Sequence, residues 1–255
     1  MKRVMIACTL LLVASMFIAG ASKSIAQPQT FTFKAATPFA KGQTDVQILD
    51  WWADQLNKRT QGRVKATVFY AGALGTGLEL PQNVEQGIVD VAFTAPEYTS
   101  LRFPVITSLG AFTFRVHSPV AAGHIVYSLH NKGFTDKELA SYKVMWFHPV
   151  APLNFLTKRS VEKLEDLKGR KIRASSAEDA KKIRILGGEP ILLPPGELYQ
   201  SLERGIIEGS LGGSSLIPSL KLHEVAKFFL AEPVSGATLF SVMNRNKWNS
   251  LPQDL

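Results

Sequence analysis

Cysteine is almost missing from this 255-residue chain: Cys8, the single example, lies inside an apolar run at the start of the sequence and lacks the small residues just before it that a lipid-attachment cysteine needs. Once that run is removed no cysteine is left, which excludes disulfides, thiolate metal sites and a cysteine nucleophile. Histidine is sparse too. His117, His124 and His130 are too far apart for a one-face pair at i and i+4, and His148 and His223 stand alone, so no metal site is expected. No HExxH or GxSxG motif occurs, and the run Gly212, Gly213, Ser214, Ser215 lacks the closing glycine of a nucleophile elbow. A triad assembled from distant residues stays open, but no nucleophile and base stand out, and the reading is a protein that is not an enzyme and uses no cofactor. Runs of like charge are absent as well. The 29 basic and 21 acidic residues are spread along the chain, which gives nucleic-acid or membrane binding little support.

With 45% hydrophobic and 20% charged residues, the composition is that of a globular chain long enough for one large domain or two small ones. Residues 1–26 have a basic start (Lys2, Arg3), an apolar run over 4–21 and small residues at Ser24 and Ala26, the layout of a secretory signal peptide cut after Ala26. An uncleaved anchor needs about 20 apolar residues, and Thr9, Ser15 and Gly20 interrupt this run. Removing Lys2, Arg3 and Lys23 from the 29 basic residues leaves 26 against 21 acidic, a net charge of +5 that is compatible with an anionic ligand. An exported protein of this size without disulfides suits a bacterial periplasm.

Along the chain, strands and helices alternate in an α/β pattern. Residues 30–35 and 63–70 alternate as strands, and 45–60 carries an amphipathic stripe of Val46, Leu49, Trp52, Ala53 and Leu56 that predicts a helix ended by Gly62. The glycine-rich residues 71–77 lack the spacing of either phosphate-loop fingerprint and read as a turn before a helix near 81–87. A hydrophobic strand follows within 87–98, helices are expected at 118–131 and 136–140, and a strand at 143–147 leads into an extended stretch ending at Lys158.

The most organised stretch is 165–210. A turn closed by Gly169 leads to a short strand (Lys171, Ile172, Arg173), a helix over 177–186, a second strand over 190–193, and a further helix after Pro194, Pro195 and Gly196. Arg173 stands at the carboxyl end of its strand, beside Ala174, Ser175 and Ser176, the edge at which open α/β sheets bind ligands. A guanidinium there suits a carboxylate; position alone favours a solvated or locally paired arginine over that role. Glu189, Glu197 and Glu203 could suggest a carboxylate pair, but Glu197 opens a helix, where an acidic side chain favours the dipole. Further strands are expected near 228–230 and at 239–244.

The phrases EDLKGRKIRASS and LGGEPILLPPGELYQSLERGIIEG resemble the second-domain core of the solute-binding proteins of tripartite ATP-independent periplasmic (TRAP) transporters, the DctP-like family. Two first-domain phrases, WWADQLNKRTQGRVKATVFYAGALG and QGIVDVAFTAPEYTSLRFP, resemble the opening of the same proteins. The resemblance implies a two-domain α/β periplasmic-binding fold (type II-like), with residues 27–150 and 238–255 in one domain, 151–237 in the other, and the ligand cleft between them. It implies that Arg173 holds a ligand carboxylate, with Ser175 and Ser176 as neutral donors beside it. Pro195 stands where some members place an aromatic residue over the ligand. Gly212 stands where a common family phrase has an asparagine that touches ligand, so in residues 208–213 that contact is absent or taken by backbone groups of Gly212 and Gly213, which tells against sialic-acid-like or simple dicarboxylate specificity. Phe39 and Tyr98 are candidate wall residues from the first domain, and Asn154 corresponds roughly to a polar or basic contact in some relatives.

The implied function is capture of a small organic carboxylate and its delivery to TRAP membrane permease subunits. The alternatives are a binding protein of the ATP-driven uptake class, a ligand-presenting sensor partner or, less well supported, an exported hydrolase. Members of the family normally continue with further helices, whereas Asn249 or Ser250 with Pro252 reads as the start of a helix just before the last residue, Leu255; the expectation is a C-terminally truncated chain.

Overall fold

A computed structural model describes residues 29–112, 116, 118–150 and 152–255; the signal-peptide reading of residues 1–26, with Cys8, and His117 lie outside the described residues. Residues 31–255 form one compact unit. It contains two five-stranded sheets, each with its own apolar clusters.

The first sheet is built from β1 (Phe31–Ala36), β2 (Val64–Phe69), β3 (Val91–Thr94), β4 (Tyr142–Pro149) and β10 (Thr238–Asn244) in the order β2-β1-β3-β10-β4. β1 runs parallel to β2 and β3, and β10 is antiparallel to β3 and β4. Both faces are covered at its centre: every residue of β3 and of β10 is buried, the polar Thr94, Thr238, Ser241 and Asn244 included. Side chains alternate between those faces, so Phe33 and Ala35 join a cluster with Val64, Val91 and Met243, while Ala36 joins one with Leu80, Phe103, Ile106 and Phe240. Helices Gln47–Arg59, Leu80–Glu85, Pro104–Phe112 and Pro119–Asn131 supply the cover. Ser118 caps the last of these by accepting from Ala121 N at 3.3 Å, with Pro119 at the first helical position.

The second sheet contains β5 (Leu153–Thr157), β6 (Lys171–Ala174), β7 (Glu189–Leu192), β8 (Gly209–Gly213) and β9 (Phe228–Phe229) in the order β7-β6-β8-β5-β9. β6 is parallel to β7 and β8, whereas β5 is antiparallel to β8 and β9. Helix Ala177–Ile185 packs Ala180 and Ile183 against Ile172, Phe155 and Leu211, and helix Leu198–Glu203 packs Leu198 and Leu202 with Leu156 and Ile207. Two chain segments connect the sheets, and they are hydrogen-bonded side by side: Val150 N donates to Ala237 O at 3.2 Å and Leu153 N to Ser235 O at 2.7 Å.

Two expected elements differ. Residues 136–140 form turns rather than a helix. The segment is too short to repay helix nucleation, and the Glu138 carboxylate is spent on the start of helix Pro104–Phe112, accepting from Val105 N at 2.9 Å and Ile106 N at 2.8 Å. At the other end, Asn249 closes helix Arg245–Asn249 instead of opening one, because Asn244 supplies the cap by accepting from Lys247 N at 2.8 Å.

The candidate ligand cleft

Chain order reverses beside β1 in the first sheet, where β2 and β3 lie on opposite sides of it, and beside β6 in the second, where β7 and β8 do. Crevices open at the carboxyl ends of strands at such switch points. The segments leaving those ends meet at one cavity of about 90 Å³. Phe39 follows β1, Glu97 and Tyr98 follow β3, Ser175 follows β6, and Gly212 and Gly213 end β8.

Seven of the nine residues singled out in the sequence line this cavity: Arg173, Ser175, Pro195, Gly212 and Gly213 from the second sheet's side, Phe39 and Tyr98 from the first. Two do not. Ser176 caps helix Ala177–Ile185, accepting from Asp179 N at 3.2 Å. Asn154 is buried, and its Nδ2 donates to Leu230 O at 3.0 Å and Ala231 O at 3.1 Å, fixing the segment that returns to the first sheet. Both side chains serve the backbone.

Arg173 is 2% exposed, yet no carboxylate forms an ion pair with it among the described residues. Its Nε donates to Leu193 O at 2.9 Å and Nη1 to Leu211 O at 3.5 Å, so the ends of β7 and β8 orient the fork. Tyr98 stands on the opposite wall of the same cavity, close enough for its phenol to bear on the guanidinium. Burial pulls the guanidinium pKa below its usual value, against the pull of Tyr98 and Asp179. Burial likewise pushes the Tyr98 phenol up. Tyr98 reaches this position because residue 77 is glycine: a Cβ there would come within 2.2 Å of the Tyr98 ring.

Three carboxyl groups also line the cavity: Asp45, Glu97 and Asp179. Asp45 bridges the two walls, taking Ser215 Oγ at 2.7 Å and His148 Nε2 at 3.2 Å. Burial alone would raise its pKa, but these hydrogen bonds outweigh that and hold it below the ordinary carboxylate value. Asp179 accepts from Ser175 Oγ and, at 3.3 Å, from Lys182 Nζ, whose other partner is Ser235 Oγ at 2.6 Å. Burial pushes Glu97 up to about 7; its hydrogen bond from Thr238 N at 3.2 Å opposes the rise, Asp179 adds to it and Lys182 counters it.

Sequence reasoning did not single out Gln43, Asp45, Glu97, Asp179 or Ser215, all of which line the cavity. Asp179 does carry a sequence signal, the Ser-x-x-Asp spacing from Ser176, but that spacing speaks of a helix cap. The others sit in loops and short turns without periodicity.

A family model described as bacterial extracellular solute-binding protein, family 7 (DctP), matches residues 35–255. The chain belongs to this family. Among DctP relatives, a monocarboxylate 2-oxoacid-binding periplasmic protein of Nostoc is 29% identical over 79% of this chain and 57% of its own length. A TRAP solute-binding protein from a marine metagenome, specific for aromatic acid ligands and crystallised with 3-hydroxybenzoate, superposes with a TM-score of 0.80 at 25% identity, covering 89% of this chain and 72% of the other. A TRAP solute-binding protein from Rhodoferax ferrireducens T118, with copurified benzoate, gives 0.74 at 27% identity over 88% and 71%. The chain spans between 56% and 61% of the length of the curated relatives it matches first. Among the described residues, no helix is long and apolar enough to cross a membrane, and no group of three or more potential ligands could hold a metal ion.

Proposed function

We propose that this DctP-family chain captures a small organic carboxylate in the cleft and delivers it to the membrane subunits of a TRAP transporter. One observation carries the reading: a buried arginine at a strand end, oriented by two backbone carbonyls, lines a cavity and has no carboxylate paired with it among the described residues. Leaving a buried charge uncompensated is costly, and a ligand carboxylate supplies the counter-charge with bidentate geometry. Such a charged hydrogen bond is worth roughly 1.5–3 kcal/mol, against about 8 kcal/mol for micromolar binding. Closure of Phe39, Tyr98 and Leu216 over the ligand therefore has to supply most of the affinity. The names of the relatives that bind 2-oxoacids, aromatic acids and benzoate support the same ligand class.

In this reading residues 27–150 with 238–255 form one lobe and 151–237 the other, and the paired crossings at Val150–Ala237 and Leu153–Ser235 are the hinge. Arg173 anchors the carboxylate, and Ser175, Pro195, Gly212, Gly213, Phe39 and Tyr98 shape the wall. Ser176 and Asn154 act through the backbone. The chain binds and releases without chemistry, in the periplasm, after removal of residues 1–26.

A thermal-shift screen against small carboxylates, amino acids and sugars tests this. A carboxylate at 100 times its Kd adds about 2.7 kcal/mol to stability and raises the melting temperature. Shifts given by sugars or amines and by no carboxylate overturn the reading, as does steady turnover of any ligand that binds.

A further inference from the structure

Two buried polar atoms of cavity-lining residues have no partner among the described residues: Glu97 Oε2 and Gln43 Nε2. Unpartnered buried groups are rare in folded proteins and each calls for an explanation. The three carboxyl groups around the cavity are not equivalent in this respect. Asp45 is satisfied by Ser215 and His148, and Asp179 by Ser175 and Lys182. Glu97 accepts from the Thr238 amide through Oε1, and its second oxygen, Oε2, has no hydrogen-bond partner among the described residues. The carboxyl fits here because residue 110 is glycine: a Cβ at that position would lie 2.9 Å from Glu97 Oε1.

Resting on the carboxylate role of Arg173, we propose that Glu97 reads the ligand's second polar group, so that the cleft prefers acids carrying one carboxylate and a separate hydrogen-bond donor, such as a hydroxyl or an amide N–H, and rejects dicarboxylates. The donor satisfies Glu97 Oε2. A hydroxyl can also accept from Gln43 Nε2, and an amide can do so through its carbonyl. The charges point the same way. The cavity lining holds one cation, Arg173, against Asp45, Glu97 and Asp179, and Lys182 behind it is already held by Asp179 and Ser235, so a single ligand carboxylate uses the positive charge that the lining offers. A second carboxylate would be buried against carboxyl groups with no counter-ion, which is how a site excludes a competitor.

Titration calorimetry on the native chain at about pH 8.5, above the value of about 7 at which Glu97 ionises, with two matched series tests this: propanoate, 3-hydroxypropanoate and malonate, then benzoate, 4-hydroxybenzoate and terephthalate. In any series that binds, the hydroxylated acid is expected at least tenfold tighter than its parent and the dicarboxylate at least tenfold weaker than the hydroxylated acid. Glu97→Gln is expected to improve dicarboxylate binding at least threefold while leaving the parent acid within twofold. A dicarboxylate that binds native protein as tightly as the hydroxylated acid overturns the proposal, and that comparison needs no variant to fold. An unchanged ratio in folded Glu97→Gln overturns it too. Parent acids that bind with a flat ratio refute only the role of Glu97; no binding by any acid in either series refutes the underlying carboxylate reading along with it.

Discussion

Replacing Ser215 by alanine removes the hydrogen bond that ties the two walls of the cleft together through Asp45. Ser215 follows β8 and Asp45 lies in the turn Thr44–Val46 of the first sheet's side, 170 residues earlier, and the Oγ to Oδ2 distance is 2.7 Å. Hydrogen bonds to charged groups contribute about 1.5–3 kcal/mol. The Asp45 side chain is 25% exposed, so the lower end, about 1.5 kcal/mol, applies, and it corresponds to roughly a tenfold change in the ratio of closed to open forms. His148 stays on Asp45 in the variant, so no carboxylate is left without a partner and the fold is retained. When the unliganded protein is mostly open, apparent affinity scales with the closed fraction, and Ser215→Ala is expected to weaken ligand binding by up to tenfold. Calorimetry gives the affinity, and small-angle scattering of the unliganded protein reports loss of the closed form as a larger radius of gyration. Native affinity in a folded variant, with an unchanged scattering profile, would refute the reasoning that this bond holds the walls together.

The pH dependence of stability carries a second test. Glu97 stands at about 7 in the folded chain against an ordinary 4.5. The folded state therefore binds this proton more tightly than the unfolded one. The stability it confers is fully present below about 4.5 and is lost as pH rises through 7, by at most about 3 kcal/mol. Urea titrations at pH 5 and pH 8 are expected to show this loss, and Glu97→Gln to flatten it; an equally steep slope in the variant would remove Glu97 as its source. Asn154→Ala, which leaves the Leu230 and Ala231 carbonyls without their donor, is expected to cost about 1–3 kcal/mol of stability with ligand affinity unchanged. Lost affinity at native stability would restore Asn154 to the cleft.

Much of the fold was legible because it rests on local pattern. The alternation in β1, the amphipathic stripe of helix Gln47–Arg59 and the mostly apolar β3 are set by which faces are covered, and their residues state this directly. Residues 136–140 misled because a short helical pattern there competes with Glu138 serving a helix more than 30 residues earlier in the chain, a long-range use that no window contains. The site divides in the same way. Arg173 was singled out by the resemblance of the phrase around it rather than by its place at a strand end, and the groups that surround it, Tyr98 and the carbonyls of Leu193 and Leu211, come from separate elements. Ser176 and Asn154 looked like ligand contacts because sequence gives neighbourhood without direction. Ser176 belongs to the helix that starts beside it, and Asn154 to the strand crossing. Asp45, Glu97 and Ser215 gained their meaning only when the two sheets brought their loops together.

The central claim is that Arg173 is held for a ligand rather than for the fold. Arg173→Met tests it most directly, through calorimetry with the best carboxylate from the screen and urea unfolding of the unliganded protein. Removing a buried charge that forms no ion pair among the described residues relieves its desolvation cost and offsets the roughly 1–3 kcal/mol of the Leu193 and Leu211 carbonyls losing their donor, so the unliganded variant keeps near-native stability while carboxylate binding falls by a hundredfold or more. Carboxylate affinity retained within threefold, or a loss of several kcal/mol of stability without ligand, would contradict the account.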